Sequence, residues 1–369
     1  MNKLAVKDNS RKMNLIILGA LPPPRGGVTT HVERLIPCLE EAGIGYVIWD
    51  YSKRYKGNKH VISLRREPLK VVASLLKMSG VKVSHCLISS VSFSRLMFCL
   101  FLKIIGIRLT ITLVGSPKEM IDNHSLKLFY ILALARFSSH IIAVNRDFQM
   151  VLVNHGISEN KVSIIPAFIP FKNNVSIEKP VPQSMVDFCL RHKPLIVTYA
   201  YGPLFYAKED LYGLDLFVQL ARRLRKDFPQ AGFVVVIPEI SNKGYFGKVG
   251  KDIEKNDLDS MFCLAIGGHL SFVPFLQYTD LFIRATNTDG DALTLREALY
   301  CGVPSVASDV CCRPEGTILF RNRDISDLCR VVREALNNNR NSQYSTGAQQ
   351  INNAELFIGV FKRTAGLRE

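Results

Sequence analysis

The chain of 369 residues has no apolar run long enough to cross a bilayer, no low-complexity tract and no regular cysteine spacing. The most apolar stretch, 91–105 (VSFSRLMFCLFLKII), is broken by Arg95 and Lys103 short of the roughly 20 residues a helical span needs. That excludes a crossing at this stretch, though a basic, apolar helix of this kind fits a membrane interface as well as a buried core. With 47% hydrophobic residues and no compositional bias, the chain buries enough apolar surface to offset its conformational entropy, which excludes a disordered or fibrous protein. Nine irregularly spaced cysteines with no secretory signal before them exclude a disulfide scaffold and indicate a reducing cytoplasm. The adjacent Cys311 and Cys312 have no second cysteine or histidine pair nearby at ligand spacing, so they read as ordinary thiols and no metal site is expected there.

Acidic residues are scarce in one half only. Residues 1–180 hold 25 Lys plus Arg against 11 Asp plus Glu, while the remainder holds 22 against 21. An excess confined to the first half points to an anionic partner such as phosphorylated lipid, a membrane surface or nucleic acid. Nucleic-acid binding usually interleaves aromatic with basic residues on a recognisable module, and no such module is evident, so no nucleic-acid partner is expected.

Short apolar runs alternate with helix-length segments. The run at 13–21 is bounded by Pro and Gly and reads as a buried parallel strand. A glycine turn and a helix follow, which Thr29 or Thr30 can cap and Gly43 closes, before a strand at 46–49. The alternation continues through strands at 84–89, 108–114, 140–144 and 162–165 and helices at 67–79, 91–105, 126–136 and 147–154. Prolines 170, 180, 182 and 194 then mark a linker. A second series has strands at 195–199, 232–237, 261–265, 281–283 and 305–308, with helices at 213–225 and 292–300. This predicts α/β architecture, with two doubly wound parallel sheets in succession. The expected domains are 1–175, a linker at 176–194, a second domain at 195–345, and a terminal helical stretch at 346–369 that crosses back to the first.

The most informative segment runs from 279 to 309 (TDLFIRATNTDGDALTLREALYCGVPSVASD). A strand ends near Ile283, a polar loop carries Asp289, Gly290 and Asp291, and a helix then opens through Ala292 and Leu293. Its first amides lack intrahelical partners and face the edge where open α/β sheets bind ligands. Such a terminus favours anions by roughly 0.3 to 2 kcal/mol, which suits a sugar diphosphate. Gly290 admits close backbone approach, Asp289 can accept hydrogen bonds from sugar hydroxyls, and Glu297 can chelate a ribose diol.

Asp289, seven residues, then Glu297-Ala298 and Gly302-x-Pro304 resembles the donor signature of glycosyltransferase family 4. The resemblance implies the GT-B fold, two Rossmann-like domains facing across a cleft, and transfer of a sugar from a nucleotide diphosphate with retained configuration and no metal. It implies sugar contact for Asp289 and ribose contact for Glu297. Gly26-Gly27-Val28 with His31 is similar to the family's glycine-rich loop; no Gly-Lys-Ser/Thr follows, so it is not a triphosphate P-loop. IIPAFIP at 164–170 and YAYGP at 199–203 fit the end of the family's first domain and the start of its second.

Three positions depart from the family pattern. Pro203 stands where an Arg is usual, Tyr212 where a Lys precedes Gly-x-Asp, and Val114 where a His is common. The first two remove cations expected to stabilise the leaving diphosphate, and Lys208, Arg284, Arg25 and Arg296 are the candidate replacements, in that order. His85 and His31 are the candidate residues for the acceptor side. With the basic first half, the reading becomes transfer to an anionic, lipid-linked glycan at the inner face of the membrane, in surface polysaccharide assembly. Its rivals are a metal-dependent Asp289-x-Asp291 transferase, a sugar-nucleotide epimerase, and a non-catalytic anion- or nucleic-acid-binding protein.

Overall fold

A computed structural model describes residues 13–23, 25–51, 61–78, 81–88, 91–122, 125–171, 180–268, 270–339 and 353–367. Residues 176–179 of the expected linker and 346–352 of the terminal stretch lie outside them. The first sheet has seven parallel strands: β1 (Met13–Leu18), β2 (Gly45–Asp50), β3 (Val61–Ser63), β4 (Val81–Ile88), β5 (Arg108–Leu113), β6 (His140–Ala143) and β7 (Val162–Ile164). Their order is β3-β2-β1-β4-β5-β6-β7. Between them run α1 (Gly27–Glu41), α2 (Pro68–Lys77), α3 (Phe93–Ile104), α4 (Pro117–Asp122), α5 (Ser125–Phe137) and α6 (Arg146–Asn154).

The strands read as nearly continuous apolar runs because both sheet faces are covered. In β1, Ile16 and Leu18 point into the core beneath α2, α3 and α5, while Leu15 and Ile17 point into the core beneath α1. Alternate residues thus serve opposite layers.

After α7 (Gln183–Arg191), the second sheet runs β12-β11-β8-β13-β14-β15, also parallel. Its strands are β8 (Leu195–Tyr199), β11 (Gly232–Ile237), β12 (Phe262–Ile266), β13 (Leu281–Arg284), β14 (Ser305–Ser308) and β15 (Thr317–Phe320). A short antiparallel hairpin, β9 (Phe205–Tyr206) with β10 (Glu209–Asp210), stands apart. Its helices are α8 (Leu214–Leu224), α9 (Lys243–Lys255), α10 (Leu293–Tyr300) and α11 (Ile325–Asn339). A last helix, α12 (Asn353–Ala365), packs Phe357 and Phe361 onto the first sheet beside α1.

Two sequence expectations change here. The 183–191 stretch was expected as linker because prolines surround it; Pro182 instead precedes the first turn, where its missing N–H costs nothing, and Pro194 lies beyond the last. β4 begins at Val81, three residues before the expected start, so His85 is in the interior of the strand.

His85 is fully buried against Phe361 (ring centroids 4.8 Å apart), with His31 6.3 Å away. Neither ring nitrogen of His85 has a hydrogen-bond partner. Desolvation, with the neighbouring His31 adding to it, pushes its pKa well below the usual value, and desolvation lowers that of His31 from 6.5 to about 4 despite its bond to Ala167. Both are therefore neutral when folded. The unfolded chain binds more protons below pH 6.5, so their contribution to stability is complete above that pH and drains away as pH falls through about 4. Replacing His85 by Leu removes two unpaired polar atoms from an apolar site and is expected to stabilise the protein by about 1 to 3 kcal/mol at neutral pH. Thermal melts from neutral pH to pH 5 should also show a shallower acid loss; a variant less stable than the parent would contradict this account.

Candidate functional site

Each sheet reverses its strand order once, between β1 and β4 in the first and between β8 and β13 in the second. Open α/β sheets bind ligands at the C-terminal edge of such a switch point. The two edges share one cleft of about 480 Å³, lined by the glycine loop at 26–28, Thr30, Arg34 and Gly115 from one side and by Tyr199, Tyr212, Arg284, Asp291 and Glu297 from the other. This volume lies in the range typical of small-molecule sites.

Two helices point their N-termini into this cleft. Gly26 is extended at the cap of α1; its N–H donates to Thr29 Oγ1 (3.0 Å) and its carbonyl accepts from Thr30 N–H (2.9 Å). A Cβ on Gly26 would come within 3.0 Å of the Tyr201 ring across the cleft. Opposite, Ala292 caps α10 and Leu293 and Thr294 follow, all three lining the cleft. Thr294 is 8% exposed and its hydroxyl has no hydrogen-bond partner. A buried, unpaired hydroxyl costs about 1 to 3 kcal/mol, so its place at a helix N-terminus facing the cleft indicates a ligand group to meet it.

Arg284 ends β13 and lines the cleft, buried, with its guanidinium 5.2 Å from the centre of the Tyr212 ring. Tyr212 stands where the family resemblance leads one to expect a lysine, and Arg284 brings a cation beside it. Of the other candidate cations, Arg25 lines the cleft and pairs with Glu33 at 2.8 Å, whereas Arg296 is turned to Asp291. Lys208 is exposed in the turn between β9 and β10, with φ of 68°, and does not line the cleft.

Three of the expected site residues lie outside the lining of the cleft. Asp289 does not line the cleft: it is held by Arg284 Nε (2.9 Å), Arg313 Nη1 (2.8 Å) and Thr286 Oγ1 (3.1 Å). Burial opposes its ionisation, but the two guanidiniums outweigh burial and hold its pKa well below the ordinary carboxylate range. His85 is a core residue under α12. His31 is buried behind the cleft wall, where Nδ1 donates to the Ala167 carbonyl at 2.7 Å; Nε2 then carries no proton and has no partner.

The 288–291 loop joins the two halves. Gly290 O accepts from Asn145 Nδ2 (2.9 Å), Asp291 Oδ2 from Ala167 N–H (3.0 Å), and the Ser116 and Thr288 hydroxyls bond at 2.5 Å. Burial raises the pKa of Asp291 against the pull of Arg296. With Asp289 and Asp291 committed to different arginines, the pair does not converge on one point as a metal-binding Asp-x-Asp would. Glu297 lines the cleft, buried, in an ion pair with Arg34 of α1.

Arg34, Thr294, Tyr199 and Arg313 were not singled out from the sequence. Thr30 and Arg34 are four apart on α1, which puts both on the helix face that lines the cleft; that spacing was a usable signal. Nothing comparable marks Arg313, which lies 24 residues from its partner in an irregular segment.

No protein-family model matches the chain, and no curated sequence does. Solved structures do. The chain resembles HepE of Anabaena, solved with UDP and glucose, with a TM-score of 0.64 at 13% identity over 96% of this chain and 97% of that one. It resembles sucrose-phosphate synthase of Thermosynechococcus elongatus at 0.65 and 13%, over 96% of each chain. The lipopolysaccharide outer core galactosyltransferase WaaB, in its apo form, gives 0.60 and 14% over 95% and 100%. The chain has the GT-B fold: two Rossmann-like sheets facing across a cleft.

Proposed function

We propose that this chain is a glycosyltransferase moving a sugar from a nucleotide diphosphate to a hydroxyl acceptor, with retained configuration. One observation carries the reading: the N-terminus of α10, with the buried, unpaired Thr294 hydroxyl and the Arg284 guanidinium, opens on the interdomain cleft at the switch point of the second sheet. A diphosphate matches such a site, because it offers anionic oxygens to helix amides, a hydroxyl and a guanidinium together. The UDP and glucose bound to HepE favour UDP as the nucleotide.

In the reaction the bond from the anomeric carbon to the diphosphate breaks, the acceptor oxygen takes its place, and the acceptor proton passes to the departing phosphate. This chain's residues orient both substrates and stabilise the developing charge; with arginines in the cleft, no metal is needed. Turnover unaffected by EDTA is the expected result. Product analysis without acceptor separates this reading from an epimerase, which would interconvert sugars on the nucleotide.

The acceptor is an anionic, lipid-linked glycan at the cytoplasmic face of the membrane, in surface polysaccharide assembly. The basic first half supports it, and so does the activity in WaaB's name.

Glu297 must exchange Arg34 for the ribose diol in this reading. Calorimetry with UDP should show Glu297→Gln binding about tenfold to a hundredfold more weakly, the worth of one or two hydrogen bonds to a charged group. Arg34→Gln, which frees the carboxylate, should bind UDP at least as well as the parent. Equal loss in both variants would make the ion pair structural and remove Glu297 from the ligand site.

A further inference from the structure

Helices α2, α3 and α5 share one face of the first sheet; Val71, Leu96, Cys99, Leu102, Ile131 and Leu134 are their contributions to the core beneath. Their outward faces are apolar as well. On α2 the exposed residues Leu69 (84%), Val72 and Leu76 (81%) fall at i, i+3 and i+7. On α3 the exposed stripe is Phe93, Met97, Phe101 and Ile104 (82%), and on α5 it is Leu126, Phe129 (60%) and Phe137. Helical spacing aligns each set along one side. A helix apolar on both sides is either buried or set against a nonaqueous surface, and a patch drawn from three helices exceeds the scattered exposure ordinary on a monomer.

The charges select the occupant. The three helices carry Lys70, Lys77, Arg95, Lys103, Lys127 and Arg136 and not one acidic residue. Across 61–137 there are 11 Lys plus Arg against 3 Asp plus Glu. Apolar stripes edged with cations complement the anionic headgroups and acyl boundary of a membrane leaflet. We propose that this face seats the protein on an anionic lipid surface, with the three stripes in the interface and the flanking cations on the headgroups. Helices α2 and α3 start a few residues past the C-terminal ends of β3 and β4, the end of the sheet that opens on the cleft, while α5 follows α4. Leu69 and Phe93 are therefore at the cleft end, and a lipid-borne acceptor in the same leaflet would have a short path to the site. That last step rests on the proposed function; the docking itself does not.

The test is sedimentation of the full chain with vesicles of phosphatidylcholine alone or mixed equally with phosphatidylglycerol. Binding is expected to the mixed vesicles, at least tenfold tighter than to the neutral ones at low salt. The exposed substitutions Leu76→Ser, Phe101→Ser and Phe129→Ser together should weaken it about tenfold or more while leaving the thermal melt and UDP binding unchanged. Lys77→Glu with Lys127→Glu should erase the preference for anionic lipid. No preference in the parent, or undiminished binding in the triple serine variant, overturns the proposal. So does a lipid-free dimer that those serines dissociate, because a second copy would then cover the face. Retained UDP binding alongside absent vesicle binding would leave the transferase reading intact and remove only this one.

Discussion

Gly290→Ala is expected to cut sugar transfer by about a hundredfold or more, the penalty associated with roughly 1 Å of misplacement at a reacting centre. A Cβ built at Gly290 stands 1.5 Å from the Gly115 carbonyl oxygen and 2.6 Å from its carbon. Both atoms are Gly115 backbone, in the other domain from Gly290, so no rotamer change relieves the clash. The domains must part, or the 288–291 loop must leave its bonds to Ser116, Asn145 and Ala167. Either route moves Asp291 and the start of α10 away from the glycine loop. Folding of each sheet is untouched, because the glycine lies in neither core. A steady-state rate measurement with UDP-sugar and acceptor, paired with small-angle scattering, checks both halves. Normal turnover would show that the closed arrangement is not the working one. Gly115 is the poorer position to test, since its φ of 104° strains any side chain there whatever the domains do.

The same loop shows what a sequence reveals and what it withholds. The parallel strands were legible because strands covered on both faces become unbroken apolar runs, and β8, β11 and β14 fall where those runs predict. The helix opening after Asp289-Gly290-Asp291 was legible for a similar local reason: a polar loop between a strand and a periodic segment has few ways to fold. Side-chain direction is not local. Arg34 and Glu297 are 263 positions apart, and no periodicity joins them. The motif put Asp289 at the right height in the fold but could not say that Arg313 would reach it from beyond the next strand. Likewise His85 sits in an apolar run whose true start decides whether it lies near the strand's edge or in its interior. With β4 starting at Val81, and with Phe361 of α12 packed on it, His85 lies in the core.

Asp289→Leu offers the sharpest test of that revised role. Arg284 and Arg313 have side chains only 10% and 2% exposed, and Asp289 is bonded to both. Removing one member of a buried ionic set leaves uncompensated charge and typically costs about 3 to 5 kcal/mol, so the second domain should melt roughly 10 °C lower. Adding Arg313→Leu removes one stranded charge and should recover part of the loss. The acid response gives an independent reading. A carboxylate whose folded pKa is depressed contributes its stability above the ordinary aspartate pKa of about 3.9, and loses it as pH falls below that toward the depressed value. This window lies beneath the one set by His31, which runs from 6.5 down to about 4. The variant should therefore keep the upper decline in stability and lose the lower one. If Asp289→Leu instead melts like the parent but no longer transfers sugar, its carboxylate serves the substrate and the two arginines are its support, as the family resemblance implies.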